Sequence, residues 1–171
     1  DQRGETYPVA LFGFESGENL FLDETGWHAR YVPAMIRRQP FLIAFEGENT
    51  PGNERRRMLS LDMGSPRVSK ERGQPLFEPL GGRTPFLEEM ATLLETLYHG
   101  AETNKKFVEA LQEHGLIESV TFDIALDDGS RNQLLGFYAI DEDKVRALSD
   151  EALGKLSRNG FLMPLFMMLA S

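Results

Sequence analysis

Short apolar runs broken by glycine and proline fill the first half of the chain, and longer helical periods take over after Thr84. "YPVALFGF" and "NLFLD" flank "ESGE", which predicts a β-hairpin turning at Gly17. Pro33 suits the first position of a helical turn, so "PAMIRR" reads as one turn that ends before Pro40. "FLIAFEG" follows as a strand on its aromatic and β-branched content, and "GENTPGNERRR" as a loop. In "MLSLDM", Met58, Ser60 and Asp62 face one way and Leu59, Leu61 and Met63 the other, the alternation of a strand. "GSPRVSKERGQPLFEPLGGR" carries too much Gly and Pro for regular structure.

Thr84 is placed as an N-cap with Pro85 at the first helical position. Phe86, Met90, Leu93, Leu94 and Leu97 then recur at helical spacing, with Gly100 as a stop. A second helix carries Phe107, Val108 and Leu111 and ends at Gly115, so the pair is expected to form an antiparallel helical hairpin. "LIESVTFDIAL" sets Leu116, Val120, Phe122, Ile124 and Leu126 against Ser119, Thr121 and Asp123. "DDGS" is a hairpin turn signal, and "QLLGFYAI" returns as the partner strand. Asp141 and Ser149 each cap a short helix, the second ending at "RNG". The closing "FLMPLFMMLA" is apolar on every side, which places it in the core, at a partner surface or against further chain. The order implies an α+β fold: one domain over residues 1–171, mainly antiparallel sheet with a helical hairpin and C-terminal helices.

At 171 residues the chain can bury roughly 70% of its unfolded surface, enough for a real core. Its 18 basic and 27 acidic residues leave a net charge of −9, which repels phosphate backbones and anionic lipid and argues against nucleic acid as a partner. The absence of cysteine removes disulfides, thiolate metal sites and cysteine nucleophiles. No apolar run reaches the ~20 residues of a membrane span. The polar start from Asp1 to Thr6 shows no leader, so the visible sequence reads as cytoplasmic.

Chemistry-bearing motifs are scarce. His28, His99 and His114 form no metal-ligand spacing, and the last two fit helix ends, where the dipole favours a cation. No nucleophile elbow or phosphate loop occurs, and "PLGGRTP" resembles neither glycine-rich fingerprint. Arg37-Arg38 suits the end of a helical turn, and Arg55, Arg56 and Arg57 sit among Glu46, Glu48 and Glu54, a pattern of local neutralisation. Glu88-Glu89 and Asp127-Asp128 fall on an exposed face and a hairpin tip, without the burial that raises a carboxyl pKa. One polar crowding near strand ends is a candidate ligand site: Arg30, Tyr31, Arg38, Asp62, Ser65 and Arg67. Against it, Ser65-Pro66 starts a turn, and Arg67 can pair locally. Neither a metal nor a cofactor is called for. In the dense stretch from Tyr7 to Gly47 the glycines make turns and Trp27 is expected to close over the sheet. Phe161, Met163, Phe166, Met167 and Met168 make an adaptable apolar surface, a candidate interface with a second copy or another protein.

Taken in order, "PVALFGF", "GENLFLD", "ARYVPAMIRRQPF", "LSLD", "SPRVS", "GQPLF", "DDGS" and "LLGFYAIDEDKVRALSDEALGKLSRNGFL" resemble the SapC family, named from a surface-layer gene cluster. The blocks run from about Tyr7 to the C-terminus. The resemblance implies a further N-terminal segment ahead of Tyr7 and a link to surface-layer or cell-envelope proteins, with envelope association as the alternative location. It carries over no catalytic residue. The expectation is an accessory or interaction module with a homo-oligomeric or envelope partner. The alternative is an enzyme or small-molecule binder with a site assembled from distant residues.

Overall fold

A computed structural model describes residues 6–47, 55–126, 129 and 131–171. The polar start from Asp1 to Glu5, the loop from Glu48 to Glu54, and the Asp127-Asp128 tip with Ser130 lie outside the described residues. The elements run β1 (Leu22–Asp23), β2 (Gly26–Trp27), α1 (Ala34–Arg37), β3 (Phe41–Glu46), β4 (Arg56–Leu61), α2 (Pro85–Glu113), β5 (Ile117–Ala125), β6 (Arg131–Ile140), α3 (Glu142–Arg146), α4 (Asp150–Arg158) and α5 (Leu162–Leu169). The fold is α+β, and its strands form three separate two-stranded sheets. Two compact units are present: Glu24–Glu102, and Asp1–Asp23 together with Thr103–Ser171.

In the Glu24–Glu102 unit, β3 and β4 pair antiparallel, with Phe41 opposite Leu61 and Ile43 opposite Leu59. Phe41, Leu87, Met90 and Leu94 form its buried core, so one face of β3 packs on the apolar stripe of α2. The strand in "MLSLDM" begins earlier than its alternation suggests and stops at Leu61. The stop is local: Asp62 folds its carboxylate back onto the Gly64 N–H at 3.0 Å, turning the chain. Thr84 caps α2 as expected. Its hydroxyl accepts from the Leu87 N–H at 3.3 Å and donates to the Pro75 carbonyl at 2.8 Å, which holds the incoming loop against the helix start.

The helical hairpin is not formed: α2 is one helix of 29 residues running straight through Gly100. A helix-ending glycine needs a positive φ and, usually, an apolar residue just after it that packs back on the last turn. Gly115 meets both conditions, with φ +64 and the Leu116 N–H reaching back to the Leu111 carbonyl. Gly100 is followed by Ala101 and Glu102 and has no positive φ, so it costs helix propensity without stopping the helix. His99 therefore sits inside the helix, while His114 is at its end, with a buried Nε2 that has no hydrogen-bond partner among the described residues.

The first expected hairpin is also absent as a ladder. Residues 7–14 form no strand, although the Leu20 N–H donates to the Phe12 carbonyl at 2.8 Å and Phe12 meets Phe21 edge-on. Trp27 lies within β2, its indole N–H donating to the Tyr31 carbonyl.

In the other unit, β5 and β6 pair from Ile117↔Ile140 to Ala125↔Arg131, with one bulge between Val120 and Phe122. Gly136, at φ +81, supplies the backbone conformation that the two-against-one step requires. Phe107, Leu111, Leu116, Val145, Leu156, Phe161 and Leu165 form the core that gathers the end of α2, the hairpin base and the three last helices. Asp141 caps α3 and Ser149 caps α4, as the sequence implies. At the end of α4, Gly160 (φ +75) repeats the Gly115 device: the Phe161 N–H donates to the Leu156 carbonyl, and both side chains enter the core.

Candidate functional site

α5 has the sequence "LMPLFMML", without a charged or hydrogen-bonding side chain. Pro164 falls in its first turn, where the missing N–H breaks no helical bond, so the helix forms despite it. Phe161 and Leu165 point inward and are buried, and Phe161 meets the Phe107 ring edge-on at 5.6 Å. Leu162, Met168 and Leu169 complete the inward side, half-buried against the same core. The spacing of 3.6 residues per turn then sends positions 163, 166 and 167 the other way. Met163 is 76% exposed, Phe166 52% and Met167 67%. A surface helix ordinarily turns charged or polar residues outward, whereas this one presents a second apolar stripe. Of the five residues read as an interface, Met163, Phe166 and Met167 form that stripe, and Phe161 and Met168 are turned to the core.

The six residues read as a ligand site all fall in the Glu24–Glu102 unit. Asp62, Ser65 and Arg67 make a turn closed on itself: Asp62 accepts from Gly64, and the Ser65 hydroxyl accepts from the Arg67 N–H at 3.3 Å. The Asp62 N–H donates to the Pro40 carbonyl, and the Arg38 guanidinium donates to the Phe41 carbonyl at 2.9 Å. Arg38 and the Asp62 turn thus lie on adjoining stretches of backbone. Arg30 and Tyr31 are exposed, and among the described residues no side-chain hydrogen bond joins them to that turn. Arg57 pairs with Glu95 at 3.6 Å and lies over the Tyr98 ring, so its charge is met by α2. Arg37 pairs with Glu89 on the same helix. Sequence spacing could not show either partner, which is some forty or fifty residues away.

A cavity of about 250 Å³ opens in the other unit, lined by Phe107, Val108, Leu111, Ile117, Ile140 and Met168, with residues 6–9 and 136–139 at its rim. Among the described residues its lining holds no carboxylate, imidazole or amine, so it offers room to an apolar group. Perturbed protonation lies elsewhere, on the surface. Hydrogen bonding from Lys144, first through its side chain and then its backbone N–H, holds the Asp141 carboxyl below its ordinary value. The same pair raises Lys144. Lys155 does likewise to Glu113, at 2.7 Å, tying α4 to the end of α2. Among the described residues no group of His, Asp and Glu side chains is arranged to hold a metal ion, and no helix is long and apolar enough to cross a membrane.

The SapC family model matches residues 1–171, the whole length of the chain. The chain belongs to the SapC family. Comparison with curated proteins and with solved structures found no match. In this SapC-family chain, the outward stripe of α5 is an exposed apolar face on a helix without polar side chains. The signal was present in the sequence as an apolar run without polar positions; which three residues face out depended on the burial of Leu165.

Proposed function

We propose that this SapC-family chain is an accessory module that works by binding another protein, and that Met163, Phe166 and Met167 are its contact surface. One observation carries the reading: a helix whose inward face already fills the core spends its outward face on large apolar side chains. Leaving such side chains in water gains the fold nothing, whereas covering them on binding removes apolar surface from solvent. Methionine, unbranched and polarisable, adapts its shape to a partner. The family's name supports a setting among bacterial surface-layer or cell-envelope proteins, and we place the module there.

A second reading has its own observation. The apolar cavity beside Phe107 and Met168 would suit a small apolar ligand, making the chain a small-molecule binder. Native mass spectrometry of the protein from its own source separates the two. The interaction reading predicts a stoichiometric protein complex that the double variant Met163→Gln/Met167→Gln fails to form while its circular dichroism is unchanged. The same complex with the double variant, or a monomer carrying only a small ligand mass, overturns it.

A further inference from the structure

We infer that the cavity beside β6 receives an uncharged amphiphile of about ten non-hydrogen atoms, with its apolar end inward and one polar group at the mouth. This rests on the second reading above, that the chain holds a small molecule. The floor of the cavity is the core itself. Phe107, Val108 and Leu111 of α2 line it and are buried, and Ile117, Ile140 and Met168 close it from β5, β6 and α5. Its volume is about 250 Å³. For scale, an apolar cavity of about 150 Å³ lined by Leu, Ile and Phe stays dry and admits benzene. In proportion to benzene's six carbons, this one has room for about ten non-hydrogen atoms. Charge is disfavoured by the same surface. Among the described residues the lining holds no charged side chain, so an entering ion would lose its hydration without meeting a counter-charge.

The mouth has a different character. The β5–β6 register passes from Val120↔Phe137 to Phe122↔Leu134, so Leu135 and Gly136 oppose the single residue Thr121 and the ladder is broken there. Gly136 borders the cavity, and a Cβ built on it would meet nothing within 4 Å, so the bulge leaves this side of the rim open. A broken ladder also leaves backbone polar groups at the rim in need of partners. Thr6, Tyr7 and Tyr138 line the same rim, and none of their hydroxyls bonds to another described residue. One hydroxyl or carbonyl of a ligand can be met at this rim while its body lies among apolar side chains, the division of labour of a small-molecule site.

The test uses the whole chain labelled at its methionine methyl groups with carbon-13, and three probes of one shape: neutral 1-naphthol, anionic 1-naphthoate and cationic 1-naphthylmethylammonium. Met168 lines the cavity, whereas Met163 and Met167 lie on the outward side of the same helix, so the methyl signals report where a probe sits. The expected result is that 1-naphthol shifts the Met168 signal and leaves Met163 and Met167 unmoved. It should bind at least about tenfold tighter than either charged probe. Val108→Phe, which fills part of the cavity, should weaken 1-naphthol by about tenfold or more. Should that variant fail to fold, the shifts in the unaltered chain still decide the matter. A naphthol shift at Met163 and Met167 without one at Met168 overturns the inference, because the probe would then be coating the outer stripe. Equal binding of a charged probe at Met168 overturns the uncharged class but leaves the small-molecule reading standing. Silence at Met168 with all three probes overturns the inference and removes that reading as well.

Discussion

α4 and α5 follow one another through a single turn, and each completely buries one leucine, Leu156 and Leu165. They differ in everything else. α4 has a serine cap, acids in its first turn, bases in its last, and Lys155 reaching across to Glu113. Every exposed position of α4 has a solvent role. α5 has no side-chain cap and no charge, and its helix start is fixed instead by Phe161, which also closes the end of α4. The contrast teaches that inward packing is enough to hold a short helix here. The outward face of α5 is then unexplained by the fold and open to a binding role.

The largest effects test the inward half of that comparison. Leu156→Ala and Leu165→Ala should each cost about 2–5 kcal/mol in urea unfolding, because each empties a fully enclosed site. A Leu165→Ala cost far below that of Leu156→Ala would break the comparison, since α5 would not be docked as α4 is. Ser149→Ala comes next, with a loss of about 1 kcal/mol at the α4 start, where its hydroxyl accepts from the Ala152 N–H. No equivalent substitution exists at α5.

A test of similar size but opposite sign concerns α2. Gly100→Ala should stabilise the protein by up to about 1 kcal/mol, since the site is interior to a helix and nothing crowds an added Cβ. A helical hairpin turning at Gly100 would instead be destabilised by the change. The subtlest effect is in the pH profile. Asp141 has a lowered folded pKa, so its contribution to stability is complete above the ordinary aspartate range, near pH 4, and is lost as pH falls through the lowered value. Asp141→Asn should flatten that part of the acid limb of melting temperature against pH. Ser149, which does not titrate, should leave the limb unchanged when replaced.

Much of the fold was legible because its signals are local. The caps at Thr84, Asp141 and Ser149, the stops at Gly115 and Gly160, and the β5–β6 pairing each depend on a few adjacent residues. Gly100 misled because glycine alone is half a stop signal; the missing half was an apolar residue after it, as Leu116 follows Gly115. The bulge at Gly136 has a sequence signal of its own, a glycine inside a strand. The run from Tyr7 to Phe14 has strand composition but no ladder partner among the described residues, and composition cannot supply one. For the candidate interface, the sequence showed an apolar run, while separating Phe161 and Met168 from Met163, Phe166 and Met167 required the packing of the core.

The most direct measurement is methionine oxidation by dilute hydrogen peroxide, followed by mass spectrometry of the individual peptides. Met163 and Met167 in α5 and Met63 in the other unit are all well exposed, so in the isolated protein all three should oxidise readily. In an extract of the source cells, the account predicts that Met163 and Met167 become protected while Met63 does not. Equal oxidation of all three in both settings would mean that nothing covers the α5 face, and would contradict the account.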